Sequence, residues 1–126
     1  MRPNLIFYAG VALLFTHEMD AVMQAEWRLL FWLRALEDNA AYWWFLLLHV
    51  PLFFGFFVLA EHRNESLKNL FRLLVSGFLV VHALLHFGLS GSTDYQFSHW
   101  ISNLLIYGAA VLGALHIFLT QFTKPA

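Results

Sequence analysis

The stretch Phe15-Thr16-His17-Glu18-Met19-Asp20-Ala21-Val22-Met23-Gln24-Ala25-Glu26 sets an imidazole and three carboxylates at the end of an apolar run that begins at Leu5. An acid or base at the centre of a membrane helix costs roughly 2.5–3.5 kcal/mol on insertion scales, so such groups are expected to face a partner or a polar site. A partner for them is therefore expected elsewhere in the chain.

The 126 residues, 60% hydrophobic and only 12% charged, have room for one domain and are too apolar for a soluble one. The expectation is an integral membrane protein. A formal net charge of -1 with scattered basic residues excludes nucleic acid as a partner. There is no cysteine, so there is no disulfide, and any metal must be held by nitrogen and oxygen. Met1-Arg2-Pro3-Asn4 before an apolar run resembles the start of a signal peptide, but Thr16-His17-Glu18 follows where a small-x-small cleavage site is needed.

A helix needs about 20 mostly apolar residues to cross the hydrocarbon. Four segments qualify, at about 5–23, 40–60, 70–89 and 100–120, which predicts an all-α four-helix bundle in the membrane. Ala25 to Leu36, where Arg28 and Arg34 alternate with Trp and Leu, predicts an interfacial extension after the first helix, with its tryptophans at headgroup level. Glu26 is expected there too, paired with Arg28 or Arg34. Glu37-Asp38-Asn39 caps the second span, and Pro51 is expected to kink it near His49. Arg2, Arg63, Lys68, Arg72 and Lys124 on one side, against Arg28 and Arg34 on the other, predict cytoplasmic termini, in a bacterial inner membrane.

At about 1.5 Å rise per residue, His17 lies roughly 18 Å from the cytoplasmic face, Asp20 about 22 Å, His82 about 18 Å and His86 about 24 Å. His49, counted from the other side of a hydrocarbon layer about 30 Å thick, comes out near 16 Å. These groups share one slab of the membrane. His82 and His86 form an i, i+4 pair on one helix face, as two-histidine metal motifs require. The predicted metal ligands are therefore His17, Asp20, His82 and His86. Glu18, turned about 100° from His17, suits a supporting role around the ligands, a proton relay or a contact with another helix, and with Asp20 is the candidate catalytic carboxylate. His49 is the candidate cofactor ligand, with a hydrogen bond to a backbone carbonyl as its alternative. His116 lies too far towards the cytoplasmic end and is read as structural, His62 as a solvated surface residue, and His99 as a possible gate at the outer mouth.

A His-x-x-acid motif late in the first helix (His17, Asp20) with a His-x-x-x-His pair in the third (His82, His86) resembles the bacterial HXXEE-type membrane proteins and related small proteins of unknown function. Ala21 stands where that type has a second glutamate. The resemblance implies a metal-binding membrane protein without a settled reaction.

The leading functional expectation is a membrane-embedded, metal-dependent enzyme, of hydrolase or of oxidase and desaturase type, acting on a lipidic small molecule. Three histidines and a carboxylate suit zinc or iron. The alternative is a small subunit of a larger membrane complex, or a homo-oligomer, in which histidines such as His49 and His82 ligate haem or a chlorin. The acidic pair Glu18 and Asp20 has no role in that alternative.

Overall fold

Pro3, whose missing N–H and fixed φ suit the first position of a helix, opens α1 over Pro3–Met23. The other three helices are α2 Asp38–Ala60, α3 Glu65–Leu89 and α4 Trp100–Phe122. The computed structural model describes residues 2–123, so Lys124, counted above among the basic residues, lies outside them. No strand occurs among the described residues, and all four helices are long and apolar enough to cross a membrane. Asn64 caps α3 by accepting from the Leu67 N–H at 3.1 Å. His99 caps α4 in the same way, its Nδ1 accepting from the Ile101 N–H at 3.2 Å, which is a different use from the gate expected of it. Pro51 is accommodated within α2, which continues unbroken on both sides of it.

α4 packs along both α1 and α3. Gly113 permits the approach to α3: a Cβ there would stand 2.6 Å from the Ser76 carbonyl oxygen and 3.0 Å from the Leu79 Cβ, which no side chain tolerates. Such small-residue contacts are how apolar helices associate when lipid offers an equally apolar alternative. α2 touches α3 and the loop after α1, meets α1 through the Phe7–Phe56 and Phe15–Phe53 ring contacts, and buries the smallest share of its surface. Its outward face carries Trp43, Trp44, Leu47, Phe54 and Phe57, all more than half exposed.

One end of the bundle is tied by Arg72, buried in α3. Its Nε donates to the Ala60 carbonyl at 3.0 Å, Nη1 to Asn4 Oδ1 at 3.1 Å, and Nη2 to Tyr8 Oη at 2.9 Å and to Glu61 Oε1 at 2.7 Å. The start of α1, the end of α2 and the start of α3 therefore meet there, as in an up-and-down bundle.

The extension after α1 differs from the sequence expectation. It is no helix lying on a surface: α1 stops at Met23, Ala25 adopts the left-handed conformation (φ 52°, ψ 49°), and a short 3₁₀ turn Glu26–Arg28 leads into further turns. The chain folds back on the bundle. Trp27 and Leu33 are buried in a cluster with Ala21, Ala41, Phe45 and Phe97, and only Trp32 faces outward as the headgroup reading requires. Asp38, not Glu26, is the partner of Arg28: it accepts from Trp27 Nε1 at 2.8 Å and binds the Arg28 guanidinium through both oxygens at 2.9 and 2.8 Å.

Candidate metal centre

Because the loop folds back, Glu26 is delivered to the end of α1 instead of continuing away from it. α1 supplies His17, fully buried, and consecutive turns of α3 supply His82 and His86, also buried. Glu26 Oε2 lies 3.2 Å from His17 Nε2 and 3.9 Å from His86 Nε2, and its Oε1 lies 3.9 Å from His82 Nε2. The three rings are mutually edge-on, with centroids 4.6–5.0 Å apart. One ligand atom from each of the four residues lies within 4.8 Å of all the others. For bonds of 2.0–2.1 Å a tetrahedral zinc needs ligand atoms about 3.3 Å apart, so a small inward rotation of the side chains closes the site.

The hydrogen bonding leaves room for such a ligand. Both nitrogens of His17, Glu26 Oε2 and Asp20 Oδ2 are buried without a hydrogen-bond partner. The 3.2 Å approach of His17 to Glu26 is an ion-pair distance, but it lacks the alignment of a hydrogen bond. An unsatisfied buried polar group costs about 1–3 kcal/mol, and four in one place are a strong departure from what folded proteins keep. Burial by itself would raise the Glu26 carboxyl, but His17, His82 and His86 together outweigh it and hold the group at about 2. Glu26 is thus an anion with its lone pairs available.

The surroundings orient the rings. His86 Nδ1 meets Tyr95 Oη at 3.1 Å, so when Nε2 faces the centre the Nδ1–H donates to the phenol oxygen, an arrangement typical of metal-bound histidine. Burial, reinforced by Tyr107 and Glu26, pushes the Tyr95 phenol up to about 12, and it stays protonated. Phe97, fully buried, covers the centre from the α3–α4 loop, with its ring 5.3 Å from His17 and 4.8 Å from His86.

Of the ligands expected from sequence, His17, His82 and His86 meet. The carboxylate that joins them is Glu26, not Asp20. Asp20 lies one turn further along α1, where its Oδ1 accepts from Gln24 Nε2 at 3.0 Å and its other oxygen remains unpartnered beside the site. Glu18 points away from the centre and meets His49 on α2, Oε2 to Nε2 at 2.8 Å. His49 Nδ1 lies 2.6 Å from the Phe45 carbonyl, so both nitrogens of the candidate cofactor ligand are engaged. A carbonyl only accepts, so Nδ1 carries a proton and the contact with Glu18 must hold one more. His116 is bonded to Ser76 Oγ at 2.8 Å, and His62 Nδ1 accepts from the Asn64 N–H at 3.0 Å.

Comparison with known proteins adds a family and no activity. The chain belongs to the family of unknown function DUF6713, whose model matches residues 3–123. This agrees with the resemblance to small proteins of unknown function, while the HXXEE type itself finds no support in the match. No curated protein and no solved structure matches.

Proposed function

We propose that this chain is a membrane-embedded metalloprotein that binds one non-haem divalent ion through His17, Glu26, His82 and His86 and uses it on a lipidic substrate. The carrying observation is the convergence of those four ligand atoms within 4.8 Å, with both His17 nitrogens buried and unpartnered. Zinc and iron suit this donor set. Four protein ligands leave a tetrahedral zinc with no open position, so enzymatic use favours an ion that accepts five or six ligands, such as Fe²⁺. When bound, such an ion would supply Lewis-acid or oxidative chemistry; the protein supplies a dry, oriented ligand set, and Asp20 an adjacent carboxylate for proton transfer.

The lipidic character of the substrate is supported by the groove between α1 and α2, which opens on the face of α1 that carries Glu18 and is not lined by the metal ligands. This groove is about 180 Å³ in volume, walled by Phe15, Met19, Val22, Leu46 and Phe53, and the Glu18–His49 pair sits on it. An apolar groove with one hydrogen-bonding pair suits a chain carrying a hydroxyl or carbonyl. The membrane reading follows from the four apolar helices, and the excess of Arg2, Arg63, Lys68 and Arg72 at one end supports cytoplasmic termini in a bacterial inner membrane. A haem reading would require His49 to give up its bond to Glu18, which the non-haem reading does not.

The test is elemental analysis and an optical spectrum of protein purified from membranes without chelator. About one zinc or iron per chain, lost in His17→Ala and in Glu26→Ala, supports the proposal. A Soret band, or a metal-free protein that takes up neither ion on titration, overturns it.

A further inference from the structure

A second polar site lies at the opposite end of the bundle, independent of the metal centre. Near the starts of α1 and α3 and the end of α4 is a cavity of about 330 Å³. Arg72 and His116, 6% and 3% exposed, are its buried members, and Asn4, Asn69, Thr120 and Gln121 complete its polar lining.

The donors can be counted. A guanidinium has five N–H groups. Arg72 spends one on Ala60, one on Asn4 and two on Tyr8 and Glu61, which leaves one on Nη1. Asn4 gives its oxygen to Arg72, so its remaining polar group is the amide NH₂. His116 Nδ1 is occupied by Ser76, so Nε2 is the nitrogen available to the cavity. Thr120 spends its hydroxyl proton on the His116 carbonyl at 2.8 Å and offers none. Asn69 and Gln121 add two amides. Among the described residues no carboxylate lines the cavity; Glu61, the partner of Arg72, lies outside the lining.

We infer that this cavity binds a phosphate group, the chemistry shared by a phospholipid headgroup and a soluble phosphate ester. A carboxylate would be satisfied in one plane by a guanidinium fork, whereas these donors converge from three helices, as a tetrahedral oxyanion requires. The cavity is larger than phosphate alone and leaves room for what is esterified to it. It also lies at the ends of apolar helices, the level at which a bilayer carries its phosphates.

The full chain in uncharged maltoside micelles tests this by thermal unfolding. The ligands are inorganic phosphate, glycerol phosphate or phosphatidylglycerol doped into the micelles, with sodium chloride at matched ionic strength and oleate-doped micelles as controls. The expected result is a saturable rise in Tm with a phosphate ligand that neither control reproduces. A response to the soluble phosphates identifies a soluble ester as the source, and a response to phosphatidylglycerol alone identifies the lipid. No response beyond chloride, or an equal response to oleate, overturns the inference. Because Arg72→Gln would also untie three helices, the site is located with the double variant Asn69→Leu, Gln121→Leu at exposed positions. It should bind about tenfold more weakly with an unchanged ligand-free Tm. Undiminished binding in that variant also overturns the inference.

Discussion

His17 Nε2 and Glu26 Oε2 lie 3.2 Å apart on either side of the point where the first helix ends, so the end of that helix is part of the site. If the proposed centre holds the ion, replacing Glu26 by Ala removes one of its four ligands and should lower metal affinity by more than about a hundredfold. Tyr95→Phe, which removes only the oxygen that orients His86, should cost about tenfold. Metal content of the two purified variants, measured against increasing chelator, checks the order.

Ala25 carries the left-handed conformation without a glycine. Gly in its place relieves a strain of about 1–2 kcal/mol, less what greater unfolded-state freedom takes back, so Ala25→Gly should be neutral or stabilising and keep its metal. Ala25→Val should unfold at lower temperature and load less metal, since its branched side chain resists the turn that delivers Glu26. Equal loading and equal Tm in the two variants would show that this turn does not control the site.

Gly113→Ala sets a methyl group 2.6 Å from the Ser76 carbonyl oxygen, a backbone atom that moves only with α3. A loss of about 1–3 kcal/mol is expected, typical of overpacking. Gly55→Ala, at a position with open space, serves as the control and should leave the Tm in detergent unchanged.

Metal loading should depend on pH through the imidazoles alone. Glu26, held at about 2, is ionised throughout the usable range and contributes no slope. Protons compete with the metal for histidine nitrogen, so affinity should fall as the pH is lowered and level off once the rings are deprotonated. Loading that stays constant as the pH is lowered, measured by competition with an indicator of known affinity, would show that the imidazoles are not the ligands.

Single cysteines at Ser66 and Ser92, both exposed, should react with an impermeant reagent from opposite sides of a sealed vesicle, because each lies at a different end of α3 or its following loop. Labelling of both from one side would remove the up-and-down arrangement across the membrane.

The helices were legible because each is a long apolar run between polar breaks, and such a run has little choice of structure in an apolar surrounding. His17, His82 and His86 were legible for a related reason: regular helices turn residue numbers into depths and faces. Glu26 was not, since the depth argument extends α1 in a straight line past Gln24. No glycine marks the place where the helix stops, so the position of Glu26 depends on Ala25, a residue with no preference for the left-handed turn it makes. The same error misplaced Trp27, which fills the core under the loop and binds Asp38. His116 stands apart from the other histidines in depth, and its bond to Ser76 depends on how α3 and α4 are rotated about their axes, which spacing alone does not specify.

The contacts of α4 with α1 and α3, and the slight attachment of α2, bear on how the chain is assembled. Synthesis delivers His17 and Glu26 first and inserts the whole of α2 before the helix bearing His82 and His86 emerges. Until then the Glu26 carboxylate, without its remaining partners, sits beside His17 at the edge of the hydrocarbon, at a cost of several kcal/mol if it is drawn inside. The nascent first half is therefore expected to keep this end shallow, in contact with water, and to settle to its final depth only when the third helix arrives. The metal would then be acquired late, after the last two helices have closed around a site that the first two cannot form.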